Sequence, residues 1–252
     1  MSILFDNASS EYLTNANGVA TQPLTMATWI YPDEAQLQLI MNVGNTAVQR
    51  IAEIYLEVVS TVNRFALNHK GATTSQAIRP STPNYSLNTW HHVVGRFEIA
   101  DRELYADGVS IATGSTNVGA MPVDTTMIGA EIYGGVISLY FSGRIAEPAV
   151  WDVSLSDDEI ALLAKGFSPL FFRPQNLAAY WPLIALEDIN DRIGGFNMTA
   201  VNTPVTADHM PKIIYPAPTL INYPAAAAAV HAGALVNAMR LKTKVGGSLI
   251  GA

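Results

Sequence analysis

The chain lacks cysteine and is poor in charged residues. No Cys occurs among its 252 residues, which excludes a disulfide framework, Cys-ligated zinc, iron–sulfur clusters and a thiol nucleophile. Charged side chains make up 14% of the chain, against roughly 25% in an average globular domain. Hydrophobic residues reach 49%, the usual share, so the chain as a whole is expected to fold.

Acidic residues are absent from the last part of the chain. All 21 Asp and Glu lie at or before Asp208, where ten Lys and Arg leave a formal charge of −11. Residues 209–252 carry four basic residues and no acid, a formal charge of +4. This shift predicts an acidic domain over residues 1–208 and a Pro/Ala-rich docking arm over residues 209–252. The net charge of −7 argues against general nucleic-acid binding.

Long apolar runs are also absent. The nearest approach to a membrane span, residues 225–239, is too short and is interrupted by His231, Gly233 and Asn237. The N-terminus has neither a basic stretch nor an apolar run of signal-peptide length. We therefore expect a soluble protein that is made without export and has no membrane partner.

Short apolar runs, broken by Gly, Pro, Asn and Asp, fill the first 150 residues. Residues 25–31 alternate between two faces as a strand does. The dipeptide Asp107-Gly108 separates two such runs and predicts a two-residue hairpin, because a type I′ turn needs positive φ at both positions. Strands this short, about ten residues apart, predict an all-β sandwich or barrel.

One helix and a late group of strands follow. Ser156 and Glu159 have the spacing of a capping box, which predicts a short amphipathic helix over residues 156–165. Residues 177–204 predict late strands, with a turn-rich hairpin over residues 188–204. In the arm, residues 225–244 are apolar nearly all round, so they would be helical only against a partner surface.

The order and spacing of these pieces resemble the laminin-G-like branch of the concanavalin A-like lectin/glucanase superfamily. The most diagnostic pieces are Trp90-His-His-Val-Val94 with Leu104-Tyr-Ala-Asp-Gly108, and Phe141-Ser-Gly143-Arg-Ile-Ala-Glu147 with Leu155-Ser-Asp-Asp-Glu-Ile160. The resemblance implies a two-sheet antiparallel jelly-roll β-sandwich with one short helix. The segment from Tyr180-Trp-Pro-Leu183 to Pro211 is similar to laminin-G-like proteins encoded by bacteriophages.

The resemblance also raises the question of catalysis. Glucanases of the superfamily carry two Glu around an Asp on one strand face, and Glu53-Ile-Tyr-Leu-Glu57 is the nearest pattern here, with Tyr55 in place of the Asp. No Gly-x-Ser-x-Gly, His-Glu-x-x-His or Walker sequence occurs. His91 and His92 point to opposite faces of a strand and cannot ligate one metal together, and one of them is expected at the surface. We expect no catalytic residues and no enzyme activity.

The resemblance implies two kinds of ligand site at the rim of the sandwich. The one cofactor that the resemblance allows is calcium, which would take oxygen ligands from loops. The competing interpretation is that the same residues only form turns. Sugars would stack on rim aromatic rings. The calcium candidates are Asp6, Asp107 and Asp124, with Asn7 and Glu147 beside them, and the sugar-binding candidates are Tyr31, Tyr85, Tyr133 and Tyr140.

These inferences leave three functional hypotheses. The first is a non-catalytic structural or decorating protein of a virion, assembled in the host cytoplasm, whose partners are other virion proteins and further copies of itself. The alternative is a carbohydrate-binding adhesin or receptor-binding module of a phage tail or a cell surface, and the third is a glycoside hydrolase. The residues expected to dock the arm are Tyr215, Tyr223, Val230, Leu235, Met239 and Leu241.

Overall fold

Two antiparallel sheets face each other across one apolar core in the computed structural model, which describes residues 2–46, 49–82, 85–120, 122–185, 189–208 and 212–216. This architecture confirms the all-β jelly-roll prediction. The five arm residues from Tyr223 to Leu241 lie outside the described residues. Within the described part of the chain, no helix is long and apolar enough to cross a membrane.

The first sheet has eight strands in the order β10-β9-β8-β3-β14-β1-β17, and β15 also pairs with β14. Its central strand, β3, places Met26 and Ile30 in the core between the sheets, as their alternation predicts. The strands are β1 (Ser2–Phe5), β3 (Leu24–Pro32), β8 (His91–Phe97), β9 (Arg102–Ala106), β10 (Val109–Gly114), β14 (Gly143–Trp151), β15 (Leu177–Tyr180) and β17 (Val205–Ala207).

The second sheet has seven strands in the order β16-β2-β11-β4-β5-β6-β7. Its inner face supplies Ile54, Leu56 and Leu67 to the same core, all fully buried. Its outer face carries the site described below. The strands are β2 (Tyr12–Asn15), β4 (Gln38–Asn45), β5 (Gln49–Val59), β6 (Val62–Lys70), β7 (Ser75–Ile78), β11 (Thr125–Ile128) and β16 (Thr199–Val201), and a separate hairpin is formed by β12 (Glu131–Tyr133) and β13 (Val136–Ser138).

The predicted hairpin at Asp107-Gly108 is confirmed. Strands β9 and β10 pair antiparallel around this dipeptide, and φ is 50° at Asp107 and 82° at Gly108. Positive φ at both central residues matches the right-handed twist of the flanking strands.

The predicted helix is confirmed as α1 (Asp157–Leu163). The Ser156 side chain accepts from the Glu159 backbone N–H, and the Glu159 side chain accepts from the Ser156 N–H, so both halves of the capping box are formed. Ile160 and Leu163 are the buried residues of the helix, and both join a second apolar cluster with Trp151.

The predicted hairpin over residues 188–204 is wrong. Among the described residues of this segment the one strand is β16, and it pairs with β2 in the seven-stranded sheet rather than within the segment. Strand β17, which follows the segment, pairs with β1 in the eight-stranded sheet. Asn202 and Thr203 between them both adopt positive φ, 61° and 63°. These two residues lie where the chain passes from the seven-stranded to the eight-stranded sheet.

The start of the predicted arm packs on the sandwich of its own chain. One compact unit ends at Tyr215, beyond the predicted boundary at residue 208. Ile214 forms a parallel bridge with Phe167, and the Tyr215 hydroxyl donates to the buried Glu147 carboxylate at 2.7 Å. Tyr215 therefore contacts the sandwich itself, although its ring remains about half exposed.

Candidate functional site

A cleft of about 380 Å³ lies on the outer face of strands β5, β6 and β7. Its floor carries Glu53, Tyr55 and Glu57, which share one face of β5 because successive side chains of a strand alternate. Ile54 and Leu56 between them point into the core. The same alternation places Asn68 of β6 and Ala77 of β7 on the floor.

Glu53 is buried, with 1% of its surface exposed, and two amides hold its carboxylate. The Asn42 side chain donates to Oε1 at 3.2 Å, and the Asn68 side chain donates to Oε2 at 3.0 Å. Asn42 and Asn68 are the residues directly opposite Glu53 on β4 and β6. The strand register therefore builds this polar row, and a slip of one residue would turn Glu53 into the core.

Glu57, at the other end of the floor, lies between two arginines. Arg79 Nε is 2.9 Å from one carboxylate oxygen of Glu57, and an Arg64 nitrogen is 3.3 Å from the other. Arg79 also donates to the Tyr55 hydroxyl at 3.3 Å. Desolvation lowers the pKa of the Arg79 guanidinium, but Tyr55 and Glu57 outweigh that effect and the pKa is raised. The Arg79 guanidinium is thus a fixed cation at the cleft.

Apolar and aromatic residues form the wall opposite β7. Leu39, Tyr55 and Ala66 make a small buried cluster against which Leu139 packs. Leu37 and Tyr133 lie above it, and both are exposed, Tyr133 to 46%. The cleft thus combines carboxylate acceptors, amide and guanidinium donors and aromatic rings. This combination suits an uncharged or weakly charged ligand rich in hydroxyl groups.

The four predicted sugar-binding tyrosines do not lie together. Tyr133 lines the cleft. Tyr31 lies on β3 of the other sheet, under the Arg144 guanidinium. Tyr140 lies against Tyr12, with ring centroids 6.1 Å apart.

Tyr85 is a correction to the predicted set. It is buried in the core against Phe65, and burial raises the pKa of its hydroxyl to about 12. A ring in the core offers no face to a sugar.

The predicted calcium ligands lie in three separate connections between strands. Asp6 accepts from the backbone N–H of Ala8 and the Ser9 hydroxyl, and Asp124 accepts from the backbone and side chain of Thr46. Asp107 accepts from the backbone of His92 at 2.8 Å and lies 2.8 Å from the His91 ring. Over the described residues, no group of three or more His, Cys, Asp or Glu is arranged to hold a metal ion.

Both adjacent histidines are buried, so the expectation that one lies at the surface is wrong. His91 is held between the Asp107 carboxylate and the Ser86 backbone N–H. His92 faces outward from the core but is covered in the region of Leu163 and Ile213. Burial lowers the pKa of His92 to about 3, although Asp107 opposes this effect.

Sequence reasoning missed most of the cleft. The alternation of residues 53–57 puts Glu53 and Glu57 on one strand face, and Tyr133 is a candidate rim aromatic, but no sequence signal brings the three into one site. Arg79 and Asn68 were missed altogether. The Asn68–Glu53 pair follows from the hairpin of β5 and β6, but the position of Arg79 depends on how β7 continues the sheet.

The chain matches a known family over much of its length. A family model described as the concanavalin A-like lectin/glucanases superfamily matches residues 5–161. No curated protein sequence matches the chain.

Several solved structures share the fold. The native heptameric SAP-like pentraxin of Limulus polyphemus is 18% identical, with a TM-score of 0.61 over 81% of this chain and 93% of that one. A putative carbohydrate binding protein of Bacteroides ovatus is 18% identical, with a TM-score of 0.58 over 81% of this chain and 61% of that one. Tailspike protein 2 of the Escherichia coli O157:H7 bacteriophage CAB120 is 16% identical, with a TM-score of 0.52 over 71% of this chain and 26% of that one.

Proposed function

Because the chain belongs to the concanavalin A-like lectin/glucanase superfamily, we propose that it is a non-catalytic carbohydrate-binding module whose ligand lies in the cleft over β5, β6 and β7. One observation carries the proposal. The outer face of the sheet presents a buried, amide-held carboxylate at Glu53, a phenol at Tyr55 and an exposed aromatic ring at Tyr133 around one cavity. Carboxylates and amides bond sugar hydroxyls, and aromatic rings pack on sugar faces.

The two carboxylates of the cleft are engaged in ways that oppose glycoside hydrolysis. Hydrolysis needs one carboxyl group as acid and a second as nucleophile or base beside the scissile bond. The carboxylate oxygens of Glu57 face guanidinium nitrogens of Arg79 and Arg64, and those of Glu53 accept from the two Asn side chains. Both carboxylates are thus fixed as acceptors in a hydrogen-bonded floor.

The similar structures support binding rather than catalysis. The Bacteroides ovatus protein is named as a putative carbohydrate binding protein, and the fold extends over 81% of this chain in that comparison. At 18% identity the likeness concerns the fold alone, so the choice of ligand must come from the cleft residues themselves.

The test is a binding screen with a catalytic control. Full-length protein is titrated with sialyllactose and with cello-, xylo-, arabino- and galacto-oligosaccharides, and the same mixtures are analysed for cleavage products. We expect binding of at least one sugar without cleavage, weakened in Glu53→Gln and unchanged in Glu98→Gln, whose carboxylate bonds Ser154 far from the cleft. Binding should also withstand EDTA, because the proposed site uses no metal. Cleavage lost in Glu53→Gln would instead establish a glycosidase.

A second candidate function is attachment within a virion, supported by the acid-free arm. The phage tailspike shares this fold over only 26% of its own length, so there the fold is one part of a longer chain. In this chain, residues 213–215 pack on the sandwich, and the residues that follow carry basic side chains but no acid. An acid-free segment that follows a fixed contact at Tyr215 is suited to docking on a neighbouring virion protein or a further copy of the chain.

Truncation tests this second function. A chain ending after Tyr215 retains the bridge at Ile214 and the hydrogen bond to Glu147. If the arm docks the protein, this variant should fold and bind sugar as the full chain does, yet fail to incorporate into particles. Equal incorporation of both forms would contradict the attachment role.

A further inference from the structure

The hairpin of β12 and β13 forms a fixed wall on the outer face of the seven-stranded sheet. Its root is tied to β4, because the Leu39 N–H donates to the Leu139 carbonyl at 2.8 Å and the Gly129 N–H donates to the Ile40 carbonyl at 2.9 Å. The Phe141 N–H closes the root by donating to the Gly129 carbonyl at 2.9 Å. The wall therefore stands along β4, at one side of the cleft.

The two faces of this hairpin line different cavities. Tyr133 faces the cleft, together with Leu139. Ile132 and Ile137, which pair directly across the hairpin, face a second groove of about 370 Å³ over β2 and β11. Because alternate side chains of a strand point in opposite directions, the hairpin separates the outer face of the sheet into two cavities.

The opposite side of the cleft is open. Among the described strands, β7 is the last of this sheet, and the side chains that it contributes to the cleft floor are those of Ser75 and Ala77. Ser75 is exposed and Ala77 is half-buried. Lys70 and Arg79 also border the cleft, near the two ends of β7. A ligand can therefore enter over the edge of the sheet between two cationic side chains.

We propose that the cleft is blind, closed at β4 by the hairpin and open at β7, and that it binds the terminal residues of a glycan chain rather than an internal segment. This inference rests on the proposed carbohydrate-binding function. The distance from β4, where the hairpin stands, to the open edge at β7 is three strand spacings, about 14 Å. About three linked sugar rings have this length. A longer chain leaves over β7 and makes no further contact with the floor.

The chain-length dependence of binding tests this proposal. Isothermal titration is run with the full-length protein and, for whichever sugar binds in the screen, with its oligomers of increasing length up to the hexasaccharide. A blind cleft predicts that affinity rises up to the trisaccharide and then changes by less than about twofold per added unit, or under about 0.4 kcal/mol. The intact polysaccharide should bind less per unit mass than its partial hydrolysate, because hydrolysis multiplies chain ends.

A hairpin variant provides the second measurement. Replacing residues 132–137 with a two-residue Asn-Gly turn removes the wall while leaving its root at Gly129 and Leu139. Both sugars should bind the shortened protein more weakly, because Tyr133 is lost, but the hexasaccharide should bind it more tightly than the trisaccharide does. In the wild type the two affinities should be nearly equal. Val136→Ala is the matched control, because Val136 pairs with Tyr133 and is 65% exposed, yet lines neither cavity.

The outcomes separate this proposal from the function on which it rests. If no sugar of the screen binds, both fail. If sugar binds with an affinity that continues to rise through the hexasaccharide, the cleft is a carbohydrate site but is open at both ends, and the blind cleft is overturned. The same holds if the shortened hairpin leaves the length dependence unchanged.

Discussion

The Nε atom of Arg79 lies 2.9 Å from a carboxylate oxygen of Glu57, which joins the residue after β7 to the floor of the cleft on β5. The same guanidinium donates to the Tyr55 hydroxyl at 3.3 Å. Arg79 therefore connects the open edge of the cleft to the aromatic ring at its centre. Its side chain is 42% exposed, so a ligand can reach it.

Arg79→Ala should weaken sugar binding about fivefold, or about 1 kcal/mol, because it removes a charged donor beside Tyr55. The free energy of unfolding should change by less than about 1 kcal/mol, because the pair is partly exposed and Arg64 still contacts Glu57. Titration calorimetry and urea unfolding measure the two effects. Arg173→Ala is the control, because Arg173 pairs with Glu159 on α1. Equal binding by the wild type and the Arg79 variant would remove Arg79 from the site.

Stability should fall as the pH is lowered below about 6.5. Burial lowers the pKa of His69 to about 4, with Arg102 adding to the effect, and lowers the pKa of His92 to about 3. Both pKa values lie below that of an unfolded histidine, so below pH 6.5 the unfolded chain binds more protons than the folded one. At pH 5.5 each of the two histidines should lower the free energy of unfolding by on the order of 1 kcal/mol relative to pH 7.5.

Urea unfolding at pH 7.5, 6.5 and 5.5 measures this loss. His92→Gln should reduce the pH dependence by about half, because it removes one of the two histidines whose pKa is lowered by burial. A midpoint that stays constant from pH 7.5 to 5.5 would show that the two histidines are not held neutral.

The contact between Tyr215 and Glu147 should contribute to stability. Glu147 is buried, and its carboxylate accepts from the hydroxyls of Tyr180 and Tyr215. Tyr215→Phe removes one of these donors and should lower the free energy of unfolding by about 1 kcal/mol, the usual net contribution of one hydrogen bond. Urea unfolding measures the loss, with Tyr31→Phe on the outer face of β3 as the control. An unchanged midpoint in Tyr215→Phe would mean that the hydrogen bond from Tyr215 to Glu147 does not stabilise the sandwich.

Local sequence signals predicted the parts of the fold that local physics determines. Asp107-Gly108 sets its own turn because few other dipeptides tolerate positive φ twice. Ser156 and Glu159 satisfy each other's backbone within one helical turn. The alternation of residues 53–57 placed Glu53, Tyr55 and Glu57 on one face, which is the floor of the cleft.

Pairing between distant segments could not be predicted in this way. Strands β16 and β17 have three residues each, too few for a clear alternation of polar and apolar residues. They lie in different sheets because β16 pairs with β2 and β17 pairs with β1. Tyr85 is a tyrosine next to a polar stretch of sequence, which is typical of a rim aromatic. Its ring nevertheless packs against Phe65 in the core. Tyr133 enters the cleft because a hairpin after β11 folds back over β4, a contact that sequence spacing does not encode.

The most direct test of the binding cleft compares two tyrosines that solvent can reach on different surfaces of the sandwich. Tyr133 lines the cleft over the seven-stranded sheet, and Tyr31 lies on the outer face of the eight-stranded sheet. Tyr133→Ala and Tyr31→Ala are titrated with the best sugar of the screen by isothermal calorimetry. Loss of the ring from the cleft should weaken binding about tenfold in Tyr133→Ala, or about 1.4 kcal/mol, and leave Tyr31→Ala equal to the wild type. Unchanged binding in Tyr133→Ala together with loss in Tyr31→Ala would place the sugar on the eight-stranded sheet and contradict the assignment of the cleft.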